Sequence, residues 1–136
     1  MDNAYVLDSF ALLAHFEDEV GGEQVRKILK AAQTGKTWLY LSVINLGELY
    51  CNTIRERGRE KADEALFITD QLPITVVPAD LNLTLEAAGL KSMHPVAYAD
   101  CFAAALGIQK KAAVVTGDPE FKKFGDVVAV EWLERR

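Results

Sequence analysis

The sequence predicts an α/β protein: a three-layer α/β/α sandwich built on a mostly parallel, five-stranded sheet. Two observations predict this class. Short runs of β-branched, aliphatic and aromatic residues recur with little polar alternation, which is typical of strands buried on both faces. Longer stretches with helical patterning separate the runs. Such alternation favours parallel strands joined by right-handed crossovers, with helices covering both faces of the sheet.

Each predicted strand is short, apolar and bounded by turn-forming or polar residues. The five strands are AYVL at 4–7, TWLYL at 37–41, ITVV at 74–77, AAVVT at 112–116 and VVAV at 127–130. The six helices predicted between them span 9–16, 22–32, 43–57, 59–70, 80–91 and 96–110. The sequence shows no internal repeat and no low-complexity linker. We therefore interpret residues 1–136 as one domain.

The composition is that of an ordinary globular protein, with 50% hydrophobic and 26% charged residues among 136. No apolar run approaches the roughly 18 residues of a membrane span. The amino terminus lacks the basic flank of a signal peptide, so we expect a cytoplasmic protein. The net charge of −5 argues against indiscriminate nucleic-acid binding, although it leaves room for a local site. Cys51 and Cys101 are expected to be reduced core thiols, because they lack the spacing of a zinc or redox motif.

Two acidic residues come directly after predicted strands. Asp8 follows AYVL, and Asp118 follows AAVVT after one intervening glycine. In open α/β sheets, ligands bind beyond the carboxyl ends of the strands, so this edge is the expected position of a site. Either aspartate could instead cap the helix that follows it, which is a common structural use of Asp.

Two predicted helices are almost wholly apolar, yet each carries a single acid. The stretch VINLGELYCNTI contains only Glu48, and VAYADCFAAALGI contains only Asp100. Such helices should be buried on most sides, and burying a carboxylate costs several kcal/mol unless something offsets it. One explanation is that Glu48 or Asp100 pairs with an arginine or lysine from elsewhere in the chain. The other explanation is that these acids share one functional site.

All four acids can converge at one edge of the predicted sheet. Two carboxylates 4 Å apart repel by about 4 kcal/mol at an effective dielectric near 20, so such a cluster needs protonation or a cation. Oxygen ligands select hard cations, typically Mg²⁺ with Mn²⁺ as a plausible substitute. A magnesium ion held in this way commonly serves phosphoryl chemistry, and hydrolysis of a phosphodiester is the reaction that the pattern favours.

Four segments together resemble a known family. YVLDSFALLAHF, LSVINLGELYC, HPVAYADCFAAALG and VVTGDPEF resemble, in order and spacing, the motifs of the PIN-domain ribonucleases, most closely the VapC-like toxins of type II toxin–antitoxin pairs. The resemblance implies strand order 3-2-1-4-5, an acidic pocket for Mg²⁺ or Mn²⁺, and endonucleolytic cleavage of RNA. Asp8, Glu48, Asp100 and Asp118 match the family's four acidic positions, as both catalytic and metal-binding residues.

The same resemblance implies further features of the site and its partners. Ser9 and Thr116 would supply small hydroxyls at the pocket, and Gly117 would form the tight turn that presents Asp118. A small antitoxin, often with a basic tail, would insert into the acidic pocket, and the chain would form a homodimer. Two lysine pairs, 110–111 and 122–123, flank the strand before Asp118 and are candidates for holding phosphates.

Other functions fit the sequence less well. A phosphoacceptor domain would need an adjacent acid pair and a lysine after the last strand, and VVAVEWLERR has no such lysine. A phosphatase of the haloacid-dehalogenase type would need DxD after the first strand, where Ser9 and Phe10 follow Asp8. A non-catalytic PIN-fold binding or scaffold module remains the serious alternative, although such a module would be expected to have lost one or more of the acids.

Overall fold

One five-stranded sheet forms the centre of the computed structural model, which describes residues 3–134. Its strands are β1 (Asn3–Leu7), β2 (Thr37–Ser42), β3 (Thr75–Val77), β4 (Ala113–Thr116) and β5 (Val130–Trp132). Every neighbouring pair is parallel, and the order is β3-β2-β1-β4-β5. The predicted fold class and strand order are confirmed. Residues 1–2 and 135–136 of the predicted domain lie outside the described residues.

Six α-helices connect the strands, at the positions that the sequence predicts to within about two residues. They are α1 (Ser9–Phe16), α2 (Gly22–Gln33), α3 (Val43–Arg57), α4 (Arg59–Gln71), α5 (Leu81–Met93) and α6 (Tyr98–Lys110). A 3₁₀ segment (Pro119–Val127), kinked at Gly125, leads from β4 to β5. Within residues 3–134, no helix has the length and apolarity needed to cross a membrane.

The sheet separates two hydrophobic cores. Successive strand residues point to opposite faces, so Val114 packs with α5 and α6 while Val115 packs with α1, α2 and α3. Because both faces of the central strands are covered, β1 and β4 consist largely of apolar residues. This is the three-layer arrangement that the apolar runs predict.

Helix α6 is the most deeply buried element of the fold. Eight consecutive residues, 100–107, are buried, as its apolar circumference predicts. At Gly107 a Cβ atom would lie 2.9 Å from the carbonyl oxygen of Ala112 and 3.1 Å from Cγ2 of Val114. Only glycine permits α6 to approach β4 this closely. The close packing fixes α6, and with it Asp100, against the sheet.

The edge strand β5 departs from the sequence prediction. It lies at 130–132 rather than 127–130, with Val130 paired to Val114 and Trp132 to Thr116. Within the apolar run VVAV, Val128 is buried before the pairing begins, whereas Val127 is exposed. Edge strands have one protected side and tolerate polar residues, so a search for buried apolar runs misplaces them. The residues of β3 and β5 are mostly exposed or half-buried.

The prediction that both cysteines are core thiols is correct for only one of them. Cys101 is buried in α6, whereas Cys51 is exposed on α3, and both are free thiols. Arg55, four residues later on α3, donates a hydrogen bond of 3.3 Å to the Cys51 sulfur. The neighbouring residues in the sequence are mostly apolar, and for this reason the sequence predicted a buried position for Cys51.

Candidate active site

The carboxyl ends of β1 and β4 place two of the predicted acids next to each other. β1 and β4 are neighbours in the sheet, with Leu7 paired to Val115. Asp8 follows Leu7 directly and is only 2% exposed. Asp118 lies two residues beyond the end of β4. The parallel register therefore brings both side chains to one edge.

Two helices bring the other predicted acids to the same edge. Glu48 lies in the second turn of α3, which begins immediately after β2, where the Ser42 hydroxyl caps the helix by accepting from Ile44 N at 3.1 Å. Asp100 lies in the first turn of α6 and is 9% exposed. Each acid is thus held close to the carboxyl edge by an element anchored in the sheet.

The pKa values of the two buried aspartates show that the four acids act on one another. The pKa of Asp8 is raised from 3.8 to about 7. Burial is the main cause and the charges of Asp100 and Glu48 add to it, while hydrogen bonds from Thr116 and the Ala11 N–H partly oppose the shift. Burial also raises the pKa of Asp100 to about 7, with contributions from the charges of Asp118, Glu48 and Glu120. Glu120 is an acid that sequence reasoning did not include.

Within residues 3–134, no basic side chain pairs with this cluster: none of the ion pairs involves Asp8, Glu48, Asp100 or Asp118. The described part of the chain therefore does not supply the arginine or lysine partner that would have explained Glu48 and Asp100 as structural ion pairs.

Asp8 and Asp118 both cap the helical segments that follow them, as considered from the sequence. Oδ1 of Asp8 accepts a hydrogen bond from Ala11 N at 2.9 Å, and Oδ1 of Asp118 accepts from Glu120 N at 3.0 Å. Each cap uses one oxygen of a carboxylate that has two. Capping therefore fixes the orientation of both side chains without excluding a second role.

Glu48 is held by two polar neighbours. Ser9 Oγ donates to Oε1 of Glu48 at 2.6 Å, and Nδ2 of Asn45 approaches the same oxygen at 3.4 Å. Asn45 Nδ2 also donates to the carbonyl oxygen of Ala99 at 3.2 Å, which ties α3 to the first turn of α6 beside Asp100. Asn45 is fully buried, and its Oδ1 has no hydrogen-bond partner among residues 3–134.

Sequence reasoning missed Asn45, although a signal was present. It is a polar residue three positions before Glu48 in an otherwise apolar stretch, and residues three apart lie on the same face of a helix. Asking which uncharged polar residues share a helix face with each lone acid would have found it.

The loop after β4 is held by the threonine hydroxyl rather than by an unusual glycine. Thr116 is fully buried, and its Oγ1 accepts a hydrogen bond from Asp118 N at 3.1 Å. Gly117 is not among the glycines with positive φ. The tight turn expected at Gly117 therefore requires no conformation special to glycine.

The four carboxylates are electrostatically coupled but are not gathered into a chelate. No group of three or more His, Cys, Asp or Glu side chains among residues 3–134 is arranged so that it could hold a metal ion. Mutual repulsion explains the spread, because like charges in a region of low dielectric separate as far as their backbones allow. Glu48 in particular is turned onto Ser9 and Asn45.

The two lysine pairs lie at opposite ends of the sheet. Lys110 and Lys111 end α6, about 15 Å along the helix from Asp100 at 1.5 Å per residue. Lys122 and Lys123 belong to the 3₁₀ segment that begins directly after Asp118. Nζ of Lys123 contacts Glu120 at 2.9 Å, so this lysine already has an acidic partner. Lys122 lies in the same 3₁₀ segment after Asp118, and it has no such partner among the described residues.

A parallel 3-2-1-4-5 sheet with buried, uncompensated acids at its carboxyl edge defines an α/β protein with an acidic site. The family model of the PIN domain matches residues 5–127, so the chain belongs to the PIN-domain family. No curated protein sequence matches the chain closely enough to count as a relative.

Crystal structures of VapBC and VapC proteins share this fold. VapBC2 from Rickettsia felis, bound to a DNA fragment from its promoter, is 17% identical with a TM-score of 0.78, over 96% of this chain and 99% of that one. The sarcin–ricin loop cleaving toxin VapC20 of Mycobacterium tuberculosis is 18% identical with a TM-score of 0.72, over 97% and 100%. VapBC-5 from the same organism, of the VapBC family of toxin–antitoxin systems, is 18% identical with a TM-score of 0.65, over 97% and 98%.

Proposed function

We propose that this protein is a metal-dependent endoribonuclease that hydrolyses RNA phosphodiester bonds in the cytoplasm, and that it is the toxin of a toxin–antitoxin pair. The observation that carries the proposal is the burial of Asp8 and Asp100 beside other acids with no basic partner in the described part of the chain. Membership of the PIN-domain family and the shared fold of a cleaving toxin support it.

The residues at the acidic edge fit Mg²⁺, with Mn²⁺ as a substitute. The donors are carboxylate oxygens, which hard cations prefer, and a cation would offset the repulsion that raises the pKa of Asp8 and of Asp100. Mg²⁺ is commonly held by one or two carboxylates together with water and substrate phosphates, so it does not require a closed cage of three protein ligands. Asp8, Glu48, Asp100 and Asp118 are the proposed set of acids from which the direct ligands would come.

Each acid has a defined part in the proposed chemistry. The bound ion would activate water and neutralise charge that develops on the phosphate oxygens. Asp8 and Asp118 are oriented by their capping hydrogen bonds, and Asp100 is held rigidly by the packing of α6. Ser9 and Asn45 position Glu48.

The first prediction is that purified protein cleaves labelled RNA only with a divalent cation. We expect cleavage in Mg²⁺ or Mn²⁺, and none in excess chelator, because the carboxylates repel both one another and the phosphate when no cation is bound. The measurement is gel analysis of end-labelled RNA with the metal content verified. Full cleavage in chelator would contradict the mechanism, and RNA binding without cleavage in any metal would favour the non-catalytic module.

The second prediction concerns protein partners. We propose a small antitoxin with a cationic segment, because an acidic edge on a chain of net charge −5 attracts such a segment. The fold shared with a toxin–antitoxin family member supports this choice. The product of the neighbouring gene should co-purify with this chain and inhibit its cleavage of RNA, and light scattering should give the mass of a homodimer for the chain alone. An adjacent product that neither binds nor inhibits would remove the toxin assignment and leave the nuclease assignment intact.

A further inference from the structure

An exposed tryptophan stands beside the acidic edge and has no part in the chemistry described above. Trp132 is the last residue of β5, is 40% exposed, and pairs in register with Thr116 at the end of β4. The N–H of the next residue, Leu133, donates to the Thr116 carbonyl at 2.9 Å. The indole is therefore fixed to the strand that carries the Asp118 loop.

Trp132 lies on the same face of the sheet as α6. Residues paired in register on parallel strands point to the same side, and Val130 and Val114 both pack in the core that contains α6. Trp132 is two residues beyond Val130 and shares its side. Asp100 begins the buried part of α6, so the indole and Asp100 belong to the same face at the same edge.

A cavity of about 350 Å³ adjoins the indole. Its lining consists of Trp132 and Leu133 from the end of β5, Gly117 and Pro119 on either side of Asp118, and Lys122 from the 3₁₀ segment. The cavity and the acidic site therefore share the loop on which Asp118 stands.

The walls of the cavity have the composition of a nucleotide subsite. One wall is an aromatic face, and Nζ of Lys122 lies 5.9 Å from the centre of that ring. An exposed cation–π contact is weaker than the stacking of a nucleobase on an aromatic side chain. A base would therefore take the place of the lysine on the ring, which frees the ammonium group to contact a phosphate.

Trp132 is held in place from behind. Nε2 of Gln24, in α2, donates to the Trp132 carbonyl at 3.4 Å, and Oε1 of Gln24 accepts from Glu134 N at 2.8 Å. One side chain thus bridges two backbone groups at the end of β5. A stacking surface that is already ordered loses little freedom when a base binds.

We propose that Trp132 and Lys122 form a subsite for an unpaired nucleotide of RNA next to the bond that is cut, with the base stacked on the indole and the phosphate held by the lysine. This inference rests on the proposed nuclease function and deepens it. It implies that the substrate is single-stranded or looped at this position, because a paired base cannot stack on a side chain.

Binding measured without cleavage tests the subsite directly. In a Trp38→Phe background Trp132 is the single tryptophan, since the chain has two. Adding a short single-stranded oligoribonucleotide in chelator should quench its fluorescence. The same oligonucleotide made abasic retains its phosphates and should bind without this quenching.

Substitutions separate stacking from charge. Trp132→Leu should weaken binding of the oligonucleotide about 5- to 150-fold, the range expected for one stacked base, and Trp132→Phe should restore part of the loss. Lys122→Gln should reduce the slope of log affinity against log salt by about 0.7, the contribution of one phosphate contact on a single strand, whereas Trp132→Leu should leave the slope unchanged. All variants are compared in the same chelator, so the repulsion between the carboxylates and the RNA phosphates is the same for each variant.

Trp38 provides the matched control. It is 52% exposed but lies near the start of β2, paired with Ala4, at the end of the sheet away from the acids. Trp38→Leu should leave RNA affinity unchanged. Thermal melts verify that each variant is folded. If Trp132→Leu does not fold, the test rests on the quenching by intact and abasic oligonucleotides in the Trp38→Phe background and on the salt slope of Lys122→Gln.

Four other outcomes would contradict the subsite, and one of them would also contradict the proposed function. If folded Trp132→Leu binds RNA with the affinity of the parent, or if the intact and the abasic oligonucleotides quench the indole equally, the subsite is wrong and the nuclease proposal stands. If the variant retains RNA affinity but loses self-association by light scattering, the indole is a protein contact and the subsite is likewise wrong. If the parent neither binds nor cleaves RNA in any metal, the proposed function fails and takes the subsite with it.

Discussion

Asp100→Asn is expected to reduce metal-dependent RNA cleavage by at least about 10²- to 10³-fold, the usual loss when one preorganised electrostatic group is removed from an active site. The substitution preserves the shape of the side chain and removes a charge that acts on Asp8 directly. The measurement is the single-turnover rate of RNA cleavage at saturating Mg²⁺.

Metal-induced stabilisation provides a second measurement on the same variant. Mg²⁺ at about 100 times its dissociation constant should add roughly 2.7 kcal/mol to the stability of the parent. For a chain of this length, that corresponds to an increase in Tm on the order of 10 °C. Asp100→Asn should lose most of this increase, because the proposed ion loses a ligand.

Asp80→Asn is the matched control for Asp100→Asn. Asp80 caps α5 by accepting from Leu83 N at 2.9 Å, and its charge is not among those that shift the pKa of Asp8 or Asp100. Asparagine retains the cap, so we expect neither activity nor metal-induced stabilisation to change. Equal cleavage by Asp100→Asn and Asp80→Asn would show that Asp100 is not part of the site.

In chelator, Asp100→Asn is expected to be more stable than the parent above about pH 7 and equally stable below about pH 4. The folded state raises the pKa of Asp100 from 3.8 to about 7, so between these values the folded protein binds a proton that the unfolded chain releases. The stability of the parent therefore falls as pH rises through this interval, and the asparagine variant avoids that loss.

The expected difference is about 1 to 3 kcal/mol at pH 8. This is less than the full pKa shift would give, because Asp100 retains some contact with water and its neighbours are screened by salt. Denaturant unfolding of both proteins at pH 4, 6 and 8 measures it. A variant that is strongly destabilised at all three pH values would mean that the Asp100 carboxylate satisfies a buried partner, which is the ion-pair explanation.

Hydrophobic patterning was sufficient for the fold class and for most of the helices and strands, whereas the strand order 3-2-1-4-5 came from the family resemblance. Strands β1, β2 and β4 lie between two helical layers, so their sequences are largely apolar. Helices α1, α3 and α5 each begin after a residue whose side chain caps them. The edge strand β5 was misplaced by three residues at its start because an edge is selected for partial exposure. Its Glu131 and Trp132 do not resemble a core strand.

Sequence alone determined which acids to consider, because a single carboxylate in an apolar helix or directly after an apolar strand is conspicuous against its neighbours. Tertiary structure decided how those acids are held. Strand register brings Asp8 beside the Asp118 loop, and the packing of α3 against α6 brings Asn45 between Glu48 and Ala99. The tertiary structure also places Lys122, rather than Lys110 or Lys111, at the edge of the sheet where the acids lie. It places Trp132 at the same edge. These facts depend on contacts between residues far apart in the chain, and local patterns carry no information about such distances.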